Sequence, residues 1–196
     1  MSNMLDNSEK KDSTGLDVIT LASGCFWCTE AIFKRVNGVI SVVSGYSGGS
    51  VDNPTYDEVC TGRTGHAEAV QVQYDPKIIS LENILEIYWY THDPTTPNRQ
   101  GNDVGTQYRS AVFYHSPNQK EIALKVKNDL ENKHVYSNPI VTEITSFSNF
   151  YQAEEYHKDY YDNNRSAPYC NYVIDPKVTK LLTKFSSNLK DKYQRS

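Results

Sequence analysis

Residues 24–30 read Gly-Cys-Phe-Trp-Cys-Thr-Glu, so two thiols, Cys25 and Cys28, flank two large aromatic side chains where a helix-like pattern begins. A thiol attacks as its thiolate, and a free cysteine with a pKa near ~8.5 is only a few per cent ionised at neutral pH. A helix N-terminus favours negative charge by about 0.3–1 kcal/mol, or ~2 when partly buried. One pKa unit corresponds to ~1.36 kcal/mol. The helix alone therefore places the Cys25 thiol at about 7–8, and further activation must come from other donors or from the substrate. Phe26 and Trp27 beside that sulfur suit a small, apolar electrophile. Cys28 follows one turn later, where Cβ atoms lie ~5–6 Å apart, roughly within disulfide range. It either closes a redox-active bridge with Cys25 or simply packs.

Other residues offer complementary chemistry. Gly65-His66-Ala67-Glu68 sits at the start of a strand, and a carboxyl at the edge of an apolar sheet stays protonated when buried. The alternative is an outward-pointing glutamate beside a structural histidine. Gly101 through Tyr108 closes a long loop in which Asp103 offers an acceptor and Tyr108 a donor. The same residues could serve only to hold the loop through local hydrogen bonds. Tyr56, in Asn-Pro-Thr-Tyr, offers a further hydroxyl on an apolar ring or packs as a buried tyrosine. Cys170, in a turn-rich C-terminal segment, is a thiol that could swing to a distant sulfur or lie inert. Cys60 falls in an apolar stretch and reads as structural, while His92, His115, His134 and His157 show no partner spacing and read as surface or core fillers.

The elements that must position these groups follow from periodicity and turn chemistry. Val18 to Ala22 is a β-type run ending at Gly24, and a helix is predicted from about Cys25 to Arg35. Val39 to Tyr46 and Ala67 to Tyr74 read as strands, with a turn or short helix carrying Cys60 between them. Ser80 caps a helix reaching about Thr91, and residues 93–107 form a loop long enough to be functional. Arg109 to His115 is a strand; Ser116-Pro117-Asn118-Gln119 is a capping box opening a helix to about Lys133. Ile140 to Phe147 is a strand, Asn149 to Gln152 opens a helix, and a short amphipathic helix with Val178, Leu181, Leu182 and Phe185 follows Cys170. Mixed strands and helices predict an α+β or α/β class with one central sheet covered by helices.

The 196 residues, 38% hydrophobic and 22% charged, suit one globular domain over residues 16–196 behind a disordered tail at 1–15. The apolar runs are too short to span a bilayer, and no basic-then-apolar leader pattern is evident. A net charge of -4 with scattered Lys and Arg argues against a nucleic-acid partner. Four cysteines in a chain this long do not make a disulfide scaffold. They read as cytoplasmic thiols, and a monomer with no metal and no cofactor is expected.

Taken together, Gly-Cys-Phe-Trp at 24–27, Gly-Tyr-Ser-Gly-Gly at 45–49, Asn-Pro-Thr-Tyr at 53–56, Thr-Gly-His-Ala-Glu-Ala-Val at 64–70 and Asp-Val-Gly-Thr-Gln-Tyr-Arg-Ser at 103–110 resemble the type A peptide-methionine sulfoxide reductases. The resemblance covers about Val18 to Lys180. It implies a ferredoxin-like α/β sandwich, a mixed central sheet with flanking helices and long functional loops. It makes Cys25 the nucleophile and Glu68 the proton donor, puts Phe26 and Trp27 around the substrate methyl group, and sets Tyr56, Asp103 and Tyr108 around the sulfoxide oxygen. It implies that the S epimer of methionine sulfoxide, protein-bound or free, is reduced through a cysteine sulfenic acid and an intramolecular disulfide cleared by thioredoxin or a similar dithiol. Cys170 matches the family's C-terminal resolving cysteine. Many members carry glycine where Cys28 stands, so the resolving role is open between Cys170 and Cys28. A glycine-rich tail with a further recycling cysteine is not seen, so no two-step relay to the surface is expected.

Two other readings use the same residues. His66-Ala67-Glu68 with Cys25-x-x-Cys28 contains parts of a zinc nucleobase deaminase signature, but in reversed order and without the preceding proline. A tyrosine-rich peptide-binding module would instead show slow, unselective thiol alkylation.

Overall fold

The computed structural model describes residues 14–194, so most of the tail expected at 1–15 lies outside the described residues. Eight strands and seven α-helices are described: β1 (Asp17–Ser23), α1 (Phe26–Phe33), β2 (Val39–Ser47), α2 (Tyr56–Cys60), β3 (Ala67–Tyr74), α3 (Leu81–Tyr90), β4 (Arg99–Gln100), β5 (Asp103–Val104), β6 (Ser110–Tyr114), α4 (Pro117–Asn132), β7 (Glu143–Ser146), β8 (Tyr151–Gln152), α5 (Tyr160–Asn163), α6 (Asp175–Lys184) and α7 (Asp191–Gln194). The main sheet runs β7-β6-β1-β3-β2-β8. Its inner four strands pair antiparallel in the order β6-β1-β3-β2. With α1 joining β1 to β2 and α3 joining β3 to β6, this is the β-α-β-β-α-β arrangement of the ferredoxin-like fold. Parallel β7 and antiparallel β8 extend the two edges, which makes the sheet mixed.

The strand period of two assigns side chains to faces. Ile19, Leu21, Val70, Val72 and Val112 form one core with α1 and α3. On the opposite face Ala22, Ala67, Ala69, Ala111 and Phe113 form a smaller second core. Glu68 belongs by alternation to the face of Val70 and Val72, at the end of β3 where the α1 N-terminus arrives, and it pairs in register with Tyr46 of β2. Every residue of α1 except Trp27 is buried, because the helix lies between the sheet and the C-terminal helices; its buried polar side chains are hydrogen-bonded, Thr29 to Ser23 at 2.8 Å and Glu30 Oε2 accepting from the Ser44 hydroxyl at 3.0 Å.

The turn between β1 and α1 is fixed by Gly24. Its φ is +92°, and a Cβ there would lie 2.7 Å from Gln100 of β4. Gln100 is locked in turn, since Asp93 N–H donates to its Oε1 at 3.0 Å and its Nε2 donates to the Asp93 carbonyl at 2.8 Å. The loop predicted at 93–107 is therefore ordered by the β4–β5 hairpin, which packs on the nucleophile turn and delivers Asp103 to it.

Two segments depart from expectation. Residues 149–152 do not open a helix; Tyr151 and Gln152 form β8 against Gly45 and Tyr46. The β-favouring aromatics prefer that edge, and at Gly45 the approach is so close that a Cβ would meet the Tyr151 carbonyl oxygen at 2.5 Å. The segment around Cys170 is no mobile tail: Cys170–Ile174 is one turn of π-helix running directly into α6. No helix among the described residues is long and apolar enough to cross a membrane.

Candidate active site

Cys25 is the N-cap residue of α1 and is 7% exposed. Its sulfur thus faces the open end of the helix, as the motif predicts, but its ionisation differs from expectation. Burial pushes the thiol well above its ordinary range, and hydrogen bonding to Cys28 and the charge of Glu68 push it further, against a hydrogen bond from Tyr169. The desolvation cost exceeds the modest helix-end contribution. The hydrogen bond from Cys25 holds Cys28 below the usual thiol range, against its own burial. No disulfide joins the two thiols.

Glu68 is 2% exposed, and its Oε1 accepts from the Phe26 N–H at 3.3 Å. Phe26 is the first residue of the helix that Cys25 caps, so the carboxyl and the sulfur flank one backbone turn. Burial raises the Glu68 pKa to about 8, the Phe26 N–H opposing and the charges of Asp103 and Cys28 adding. At pH 7 about nine in ten copies carry the proton.

The walls are aromatic. Phe26 is fully buried, with ring centroids 5.7 Å from Tyr46, 6.5 Å from Tyr56 and 4.9 Å from His157. Trp27 stacks on Tyr160 at 3.6 Å, meets Tyr169 edge-on at 5.7 Å, and donates from Nε1 to His157 Nδ1 at 3.0 Å. Burial lowers the His157 pKa, so its ring is neutral and Nδ1 is free to accept. Tyr56 and Tyr108 are both half-buried, and burial together with the charge of Glu68 pushes both phenols up, keeping their hydroxyls as donors. The Tyr169 hydroxyl donates to Asp103 Oδ2 at 2.6 Å. All nine residues singled out in the sequence for chemistry therefore converge on the α1 N-terminus or pack behind it.

Cys170 is fully buried, and burial with the charges of Asp175 and Cys28 raises its thiol. Cys60 departs from its structural reading: it is exposed and hydrogen-bonds Tyr56 at the pocket rim. His66 is structural, with Gly49 N–H donating to Nδ1 at 2.9 Å and Nε2 bonded to the Val51 carbonyl at 2.7 Å. Both ring nitrogens being engaged, His66 offers no lone pair to a metal. His157 is no filler, and Glu154, Tyr160 and Tyr169 also went unnamed; their common signal is the density of aromatic and acidic residues between Tyr151 and Tyr169, while Tyr46 stood only within the Gly-Tyr-Ser-Gly-Gly motif at 45–49.

A family model described as peptide methionine sulfoxide reductase matches residues 17–190. The peptide methionine sulfoxide reductase MsrA of Sulfolobus acidocaldarius is 57% identical over 170 residues, covering 87% of this chain and 96% of its own. Among solved structures, Mxr1 from Saccharomyces cerevisiae in reduced form superposes with a TM-score of 0.74 at 38% identity, covering 84% of this chain and 94% of its own. The same yeast protein in complex with Trx2 superposes at 0.53 with 31% identity, over 79% and 91% of the two chains. A match of this extent, on the residues that converge here, sets aside the zinc and peptide-binding readings: the chain belongs to the type A peptide methionine sulfoxide reductases, oxidoreductases that reduce methionine sulfoxide.

Proposed function

We propose that Cys25 attacks the sulfur of the S epimer of methionine sulfoxide while Glu68 delivers a proton to its oxygen. The observation that carries this reading is the buried, proton-bearing Glu68 carboxyl bonded to the first helical N–H beyond Cys25. A sulfoxide is a poor electrophile until its oxygen is protonated or strongly hydrogen-bonded. Tyr56 and Tyr108 supply further donors, and each such donor is typically worth about 3–4 kcal/mol in the transition state. Phe26 and Trp27 hold the substrate methyl group. Asp103 orients Tyr169 at the oxygen side of the pocket.

Oxygen passes from substrate sulfur to Cys25 sulfur. The substrate gains two electrons and leaves as methionine; Cys25 becomes a sulfenic acid. Cys28, in the first turn of the helix that Cys25 caps, attacks that sulfur, water leaves, and a Cys25–Cys28 disulfide forms. Exchange with Cys170 could then move the bridge along α1 before an external dithiol clears it. The yeast relative crystallised with Trx2 supports thioredoxin as that dithiol. Four free cysteines suit a reducing compartment such as the cytoplasm. Three different walls (sulfur, donors, aromatics) give the pocket the handedness to accept one epimer, and both peptide-bound and free substrates fit this chemistry.

Separated sulfoxide epimers assayed with thioredoxin test the reading. Turnover of the S epimer alone, lost in Cys25→Ser, is expected; equal turnover of both epimers, or an active serine variant, overturns it.

A further inference from the structure

We propose that Glu154 is a positioning residue that sets Tyr56 for the reaction. This rests on the reading of Tyr56 as a donor to the sulfoxide oxygen. Glu154 directly follows β8, and the adjacent Ala153 N–H donates to the Ser44 carbonyl of β2 at 2.9 Å, so its backbone is anchored to the sheet edge. Its side chain makes no cap for the 3-10 turn Glu155–His157 that it precedes. Instead, Oε1 accepts from the Tyr46 hydroxyl at 2.9 Å and Oε2 from the Tyr56 N–H at 3.0 Å. One carboxylate thus ties β2, the start of α2 and the His157 turn together.

The two tyrosines it holds both pack against Phe26, and Tyr46 lies opposite Glu68 in the β2–β3 ladder. Helix α2 is five residues long and is held besides by its own Thr55–Glu58 capping box, by the buried Val59, by the Gln107 bond to the Cys60 carbonyl, and by the Tyr56 ring against Phe26 and His157. A helix that short does not hold its own orientation. The Glu154 anchor at the Tyr56 N–H therefore fixes the backbone from which that ring reaches over Phe26.

The test is single-turnover reduction of methionine sulfoxide by four variants. Glu154→Ala is expected to lower the rate constant about 30-fold with half-saturation little changed, because displacing a positioned group by about an ångström costs up to roughly a hundredfold. Glu154→Gln should stay within about threefold of the parent, since its amide oxygen still accepts from Tyr56 N–H and its NH2 still reaches the Tyr46 oxygen. Tyr56→Phe should lose the rate by itself, and Glu154→Ala added to it should cost less than about threefold more, as groups acting through one another are non-additive. If Glu154→Ala folds poorly because the buried Tyr46 hydroxyl is left alone, Glu154→Ala with Tyr46→Phe removes that hydroxyl and makes the same comparison. A full additional loss in the Tyr56→Phe background, an unaffected Glu154→Ala, or a Gln variant as slow as the Ala variant overturns the proposal. A silent Tyr56→Phe instead marks failure of the donor reading itself, and the proposal falls with it.

Discussion

Glu68→Gln removes one proton and little else. The amide is the same size and its oxygen still accepts from the Phe26 N–H, so the 3.3 Å contact survives. What is lost is the acid, and general acid catalysis contributes typically 10²–10⁴-fold. A loss of 10²–10³ in the single-turnover rate, or about 2.7–4.1 kcal/mol of transition-state stabilisation, is expected. The pH profile separates this from simple damage. In the parent, the reactive form needs Glu68 protonated and Cys25 ionised, yet Glu68 titrates at about 8 and Cys25 well above the usual thiol range. The rate should climb with pH up to about 8 as thiolate forms, then level off, because each thiolate gained is offset by an acid lost. In the Glu68→Gln variant the level region has no cause, and the rate should keep climbing past about pH 9. A Gln variant within fivefold of the parent that still levels near pH 8 would refute the assignment of Glu68 as proton donor.

Further outcomes follow from the same geometry. Glu68 binds its proton up to about 8 when folded and only to 4.5 as an ordinary carboxyl, so the fold is favoured at low pH and loses on the order of 4–5 kcal/mol as pH rises between those values. Thermal melts should therefore show Glu68→Gln gaining on the parent at pH 9 and not at pH 4.5. With Cys28→Ser, one equivalent of sulfoxide should leave a Cys25 sulfenic acid that a dimedone-type reagent traps, whereas Cys170→Ser should still form the Cys25–Cys28 bridge; mass mapping distinguishes them. Gly24→Ala puts a Cβ at a φ of +92° and 2.7 Å from Gln100, so a cost of about 1–3 kcal/mol in denaturant unfolding and a slower first half-reaction are expected.

The catalytic side of the molecule was legible because its chemistry is local. Cys25, Phe26, Trp27 and Cys28 share one turn, whereas the residues around Glu68 left it open between a buried acid and an outward-pointing carboxylate, and the β3 pairing put it on the buried face. The fold class followed from the alternation of β1, α1, β2, β3, α3 and β6. What escaped was set by tertiary contact. The Cys25 thiol responds to burial that no motif shows, and β8 replaced a helix because a sheet edge at Gly45 was open to it. His157 and Tyr169 belong to segments whose local pattern is turn-like; their roles come from where the C-terminal third packs on α1. Cys60 looked apolar in sequence because Val59 is the buried member of that turn.

The burial of Cys25 and the raised proton affinity that follows from it bear on how the sulfur meets oxidants. Hydrogen peroxide reacts with thiolates that solvent can reach, and a second oxidation of the sulfenic acid is irreversible in most settings. A buried sulfur whose thiol is held above its ordinary range is a poor target for peroxide, and on the proposed mechanism the Cys28 thiol one turn along α1 shortens the life of the one vulnerable intermediate. On the proposed mechanism the same enclosure that raises the thiol's proton affinity also screens it from the solvent-borne agent whose damage it would undo.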